Sequence, residues 1–142
     1  PVVQFLVEHF GLTGEDARAE DNYALKMACK NGHLPVVQFL VEHFGLTAED
    51  ARAENNYALQ KACGRGHLPV VQFLVEHFGL TGEDARAEDN YALKMACKNG
   101  HLPVVQFLVE HFGLTAEDAR AENNYALQKA CGRGHLPVVQ FL

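Results

Sequence analysis

The chain has 142 residues, 48 % of them hydrophobic and 21 % charged, with a formal net charge of −6. That composition describes a folded, soluble protein and excludes a disordered or collagen-like one. The acidic balance argues against non-specific nucleic-acid binding, which needs a basic surface. Apolar stretches of about six residues are too short to span a bilayer. No basic, apolar, small-residue leader opens the chain, so no membrane segment and no signal peptide are expected.

Pro1-Val2-Val3-Gln4-Phe5-Leu6 returns at Pro35, Pro69, Pro103 and Pro137, a strict period of 34. Units therefore start at 1, 35, 69 and 103, residues 137–142 open a fifth, and 1–142 reads as a single repeat array. Residues 1–68 and 69–136 are identical, whereas successive units differ at six offsets: Gly14/Ala48, Asp21/Asn55, Lys26/Gln60, Met27/Lys61, Lys30/Gly64 and Asn31/Arg65. Two unit types, A and B, thus alternate in a superperiod of 68. A fixed period of about 20–50 residues marks a solenoid, in which each unit buries its apolar face only against its neighbours. Cores tolerate many hydrophobic swaps, so two letter-for-letter halves mean a very recent duplication or one module written twice, and they favour a designed or consensus-built array.

Within the first complete window, Leu12–Glu20 comes first. Thr13 and Asp16 have the spacing of a capping box, with Leu12 and Ala17 at the hydrophobic-staple positions. Glu15 and Asp16 suit the dipole of a first turn, and Ala17-Arg18-Ala19-Glu20 contains good helix formers. The stretch reads as a short helix of one to two turns.

Asn22–Gly32 reads as a second helix, with Asp21 or Asn22 as cap and Gly32 at its end. Leu25, Ala28 and Cys29 form its inward face, and Lys26 and Lys30 are expected outward. Leu34–Gly45 reads as a third, with Pro35 in the first turn and Gly45 as a left-handed cap. Val37, Leu40, Val41 and Phe44 follow helical spacing, Val36 and Phe39 widen the apolar face, and Gln38 and Glu42 leave a narrow polar stripe. This helix is expected to form the buried spine. The three-residue link Gly32-His33-Leu34 makes the two longer helices antiparallel neighbours.

Ala28-Cys29-Lys30-Asn31-Gly32-His33-Leu34-Pro35-Val36-Val37-Gln38-Phe39-Leu40-Val41-Glu42 resembles the middle of the ankyrin repeat, Ala-Ala-x-x-Gly-His-Leu-x-Val-Val-x-x-Leu-Leu-Glu. The likeness covers about half of each unit. It implies an all-α, right-handed solenoid of helix pairs, a protein-binding role, and histidines at 33, 67, 101 and 135 bonded to backbone in the inter-helix loop. The other half departs. Tyr23-Ala24-Leu25-Lys26 and Tyr57-Ala58-Leu59-Gln60 stand where the family has Thr-Pro-Leu-His, and its hairpin-turning Asp-Gly is missing. The expectation is an ankyrin-like array in which a short third helix replaces the β-hairpin. The tetratricopeptide repeat shares the period, but its Trp/Leu/Gly/Tyr signature does not fit in register.

Cys29, Cys63, Cys97 and Cys131 fall one per unit. Stacked helices sit about 8–10 Å apart, beyond the Cα separation of about 7 Å that a disulfide spans, so buried free thiols are expected, in a reducing cytoplasmic or recombinant setting. Cys29-x-x-x-His33 supplies two ligands per unit, too few for a zinc cage. His9, His43, His77 and His111 lie at helix C-termini, where they suit the dipole or make pH-sensitive contacts between units. Catalysis needs one unlike cluster in a pocket, whereas here the polar residues recur in equivalent surroundings; there is no serine, phosphate loop or metal motif. Neither enzyme activity, nor a cofactor, nor a small-molecule substrate is expected.

Fourteen of the 18 acidic residues lie in the connecting stretches, and eight of the 12 basic residues lie on the Tyr23-type helix: Lys26, Lys30, Lys61, Arg65, Lys94, Lys98, Lys129 and Arg133. Stacking would form a basic column beside an acidic edge. That column, with Asn31, either pairs with neighbouring acids or meets an acidic protein partner. Val3 and Phe10 near one end, and Phe141 and Leu142 at the other, are expected to be exposed and to favour head-to-tail stacking of the chain on itself.

Overall fold

A computed structural model describes residues 2–142. Each repeat contains a one-turn helix, a helix carrying the tyrosine, and a spine helix. In chain order these are α1 (Val2–Phe10), α2 (Gly14–Ala17), α3 (Ala19–Lys30), α4 (Leu34–Phe44), α5 (Ala48–Ala51), α6 (Ala53–Gly64), α7 (Leu68–Phe78), α8 (Gly82–Ala85), α9 (Ala87–Lys98), α10 (Leu102–Phe112), α11 (Ala116–Ala119), α12 (Ala121–Gly132) and α13 (Leu136–Phe141). No strand occurs among the described residues, so the hairpin is indeed replaced by helix.

The one-turn helices start as their capping boxes require. Thr13 donates its backbone N–H to Asp16 Oδ2 at 2.8 Å, and its hydroxyl oxygen accepts from the Asp16 N–H. Thr47–Asp50, Thr81–Asp84 and Thr115–Asp118 repeat the box. A single turn is marginal alone, and α2 ends after Ala17 instead of running on to Glu20.

Beyond Arg18 the backbone is unusual. Glu20, Asp21 and Asn22 have φ of 57°, 53° and 63°, three consecutive left-handed residues, and the same triplet recurs at 54–56, 88–90 and 122–124. A Cβ-bearing residue in this region costs about 1–2 kcal/mol, and Asn and Asp tolerate it better than Glu. The triplet swings the chain into the tyrosine helix, whose right-handed part begins at Tyr23. Asn22, expected with Asp21 as a candidate cap, does not act as one: its Oδ1 has no partner among the described residues and its amide bonds to the next repeat.

The spine helices end at left-handed glycines as expected; Gly45 has φ 62° and its N–H bonds Val41 O. Successive tyrosine helices α3, α6, α9 and α12 stack on one another, with the spine helices beside them. One continuous core runs from Leu25 and Cys29 through Val71, Leu74 and Leu93 to Val105 and Val138. Repeats also interlock at the turns. Gly66 has φ 77°, and a Cβ there would collide with the His101 imidazole of the next repeat.

Candidate protein-interaction surface

Every junction between repeats carries one polar network on the connecting-segment edge. Arg52 grips Asp84 of the next repeat with two bonds, Nε to Oδ1 at 2.8 Å and Nη2 to Oδ2 at 3.1 Å. Asn56 Nδ2 donates to the same Oδ1 at 3.2 Å, and the Thr81 N–H to Oδ2 at 2.8 Å. One carboxylate therefore caps its own helix and anchors the preceding repeat. Burial alone would raise the Asp84 pKa, but Arg52, the Thr81 N–H and Asn56 outweigh it and hold it at about 2. Arg86 and Asn90 hold Asp118 in the same way, again at about 2, and Arg18 and Asn22 hold Asp50. Asp16 has no arginine partner among the described residues and is lowered by its Thr13 bonds. Sequence reasoning finds the box but misses the arginine and the asparagine. Their signal is present: an Arg stands 32 residues ahead of a box Asp at each junction.

The basic column is not the outward row that helical spacing predicts. Lys26 is 3 % exposed, with Nζ 2.9 Å from Glu54 and 5.5 Å from the Tyr57 ring centroid, both in the next repeat. Lys94 repeats this with Glu122 and Tyr125. The expectation fails for these two because a helix inside a stack has covered flanks as well as a covered back. The flank that carries Lys26, next to Leu25 in the chain, is open in an isolated pair and closed by the neighbouring repeat. Lys61, half-buried, lies between the Tyr57 and Tyr91 rings, 5.3 and 5.9 Å from their centroids.

The other column residues remain accessible. Lys30 and Lys98 are half-buried; Asn31, Arg65, Lys129 and Arg133 are exposed. Arg133 donates to Asn99 Oδ1 at 3.2 Å and Arg65 to Asn31 Oδ1 at 3.5 Å, each across a junction. Most A/B differences are thus junction chemistry. Lys26 pairs forward with Glu54, whereas Gln60 turns back to its own Asn55 carbonyl at 3.0 Å. Gly64 admits Met95, whose Cβ would sit 3.2 Å from a Cβ at 64, and the Gly64 carbonyl accepts from Asn99 at 2.7 Å.

Cys29, Cys63 and Cys97 are free and buried, and burial pushes Cys29 and Cys97 up to about 12; Cys131 is exposed. The interlocking histidines form a second column. Burial lowers the His101 pKa, assisted by His67 and His135 on either side and opposed by a hydrogen bond to the Gly64 backbone of the preceding repeat. On the outer side, His43 stacks on Phe39 and meets Phe44 edge-on, and the cluster recurs at His9, His77 and His111. Of the residues expected at the ends, Phe10 and Leu142 are exposed, while Val3 and Phe141 are half-buried against the core. Among the described residues no group of three or more His, Cys, Asp or Glu is placed to hold a metal ion. Nor is any helix long and apolar enough to cross a membrane.

Stacked helix pairs sharing one continuous core define a helical-repeat solenoid. A family model for ankyrin repeats (three copies) matches residues 1–89, 46–118 and 77–142, which together cover the whole chain. The chain belongs to the ankyrin-repeat family, whose members typically mediate protein interaction without catalysis. None of the curated proteins compared with it matches.

Proposed function

We propose that the chain is a non-enzymatic protein-interaction module. Its partner-facing residues are Lys30, Asn31, Arg65, Lys98, Lys129 and Arg133, and its partner presents acidic side chains. One observation carries the reading. Arg18, Lys26, Arg52, Arg86 and Lys94 are in ion pairs, while the basic residues of this face have no carboxylate within salt-bridge distance among the described residues. Peptide display against the immobilised chain, repeated on Lys30→Glu/Arg65→Glu/Lys98→Glu, tests it. Acidic ligands that lose binding to the triple variant support the face; ligands that bind both chains equally place the contact elsewhere.

The identity of residues 1–68 and 69–136 supports a scaffold assembled from one module, as in a designed or consensus array. Buried free thiols at Cys29, Cys63 and Cys97 fit a reducing setting. Exposure of Phe5 and Phe10 on α1 supports self-association of the scaffold head to tail. Sedimentation over a wide concentration range reads this directly: a mass that grows with concentration, and falls in Val3→Asp/Phe10→Asp, supports it, and a constant monomer mass overturns it.

A further inference from the structure

Among the charge differences between the two kinds of junction, one lies where residue 26 or 60 faces the turn of the next repeat. Where an A unit precedes a B unit, Lys26 reaches Glu54, and the next residue is the neutral Asn55; Lys94, Glu122 and Asn123 repeat the set. That turn is electrically balanced. Where B precedes A, the lysine is replaced by Gln60, which bonds its own Asn55 carbonyl. The facing turn carries Glu88 followed by Asp89, and neither is in an ion pair among the described residues.

An open cavity of about 560 Å³ lies at this junction, lined by Arg52, Asn55, Asn56, Thr81, Glu83, Asp84, Ala87 and Glu88. The cation among these lining residues, the Arg52 guanidinium, is held by two bonds to Asp84. Glu83 and Glu88 remain. Asn56, only 7 % exposed, also lines the cavity and donates its amide to Asp84 Oδ1 at 3.2 Å, so it adds no cation beside the glutamates. Three lining carboxylates thus face one cation here, and the equivalent junctions show which group stands beside the glutamate: a lysine ammonium.

We propose that this cavity is a docking site for a basic segment of a protein partner, which inserts a lysine side chain beside Glu88 where the array's own lysine is absent. The site rests on the protein-binding reading but shares no residue with the basic face above and takes a partner of opposite charge. Its occupant is defined by charge complementarity: an ammonium would pair with Glu88 and Glu83, as Lys26 pairs with Glu54.

Gln60→Lys should close the site by supplying that ammonium from within the chain. Fluorescence anisotropy with a labelled hexalysine peptide at low salt tests the proposal on the full chain. Three variants each raise the net charge by one: Gln60→Lys, Glu88→Gln and the control Glu42→Gln, which lies exposed on the spine helix α4. Glu88→Gln is expected to weaken binding about three- to fivefold, the value of one lost ion pair. Gln60→Lys should lose at least as much while melting no lower than the parent, and Glu42→Gln should bind like the parent. Absence of parent binding, equal losses in all three variants, or full binding by Gln60→Lys overturns the site. If either cavity variant fails to fold, Glu83→Gln is read in its place, with the same expected weakening. None of these results bears on the basic face, whose test uses acidic ligands and other residues.

Discussion

Two junctions with nearly the same backbone are held by different chemistry. Where α3 meets α6, a buried lysine crosses to Glu54 above the Tyr57 ring, and Arg65 reaches back to Asn31. Where α6 meets α9, no ion pair crosses the helix faces among the described residues; Gly64 lets Met95 approach and offers its carbonyl to Asn99. Both junctions keep the Arg–Asp–Asn network at the connecting edge and the glycine–histidine lock at the turns. The common features therefore set the stacking, and the A/B differences adjust its inner face. An array of near-copies can alternate its interfaces with a handful of substitutions because each repeat meets only its neighbours.

Several substitutions probe that division of labour. Asp84→Ala removes a cap and the anchor of the preceding repeat together, and should lower stability by about 2–4 kcal/mol in urea unfolding. Asp16→Ala, which loses only a cap, should fall distinctly less; equal losses would mean that Arg52 contributes nothing across the junction. Gly66→Ala forces a side chain into left-handed backbone and against His101, with an expected loss of about 2–3 kcal/mol.

Lys26→Gln converts one junction type toward the other and should cost about 1 kcal/mol, since Glu54 is half exposed and can be hydrated. Glu20→Gly relieves one left-handed residue and should raise the melting midpoint, by about 1 kcal/mol of stability. The smallest effects separate two glycines. Gly132→Ala, with nothing near its Cβ, should stabilise by up to about 1 kcal/mol, while Gly64→Ala should gain less because Met95 resists it.

Acid unfolding reports the shared network. Asp84 and Asp118 sit at about 2 in the folded chain, below the ordinary 3.8, so the folded state binds protons less readily than the unfolded one. Their stabilisation is complete above about pH 3.8 and disappears as pH falls toward 2. His101, also lowered, acts in the same direction at higher pH: the unfolded imidazole takes up its proton first, so stability declines as pH falls through about 6.5. Melting curves between pH 7 and 2 should show two separate declines, and Asp84→Asn should reduce the lower one.

Much of the fold was legible because its signals are local. Pro35 and Gly45 bracket the spine helix, Thr13 and Asp16 start the one-turn helix, and the 34-residue period announces the stack. The boundary at Ala17 and the left-handed triplet were not legible, since Arg18, Ala19 and Glu20 favour ordinary helix by propensity, and Glu20 adopts the rarer conformation only under tertiary constraint. The surface was half legible. Arg65 and Arg133 are exposed as periodicity suggests, whereas Lys26 and Lys94 have the same polarity and spacing and are buried.

The sequence by itself determined the array: its period, its three helices per unit, the caps that bound them and the apolar faces that must meet. These follow from residue spacing along one chain. Only the tertiary structure decided which polar residues face solvent and which face the next repeat. That choice depends on what lies across a junction, about 30 residues away in the chain, where a lysine meets either a glutamate within bonding distance or water.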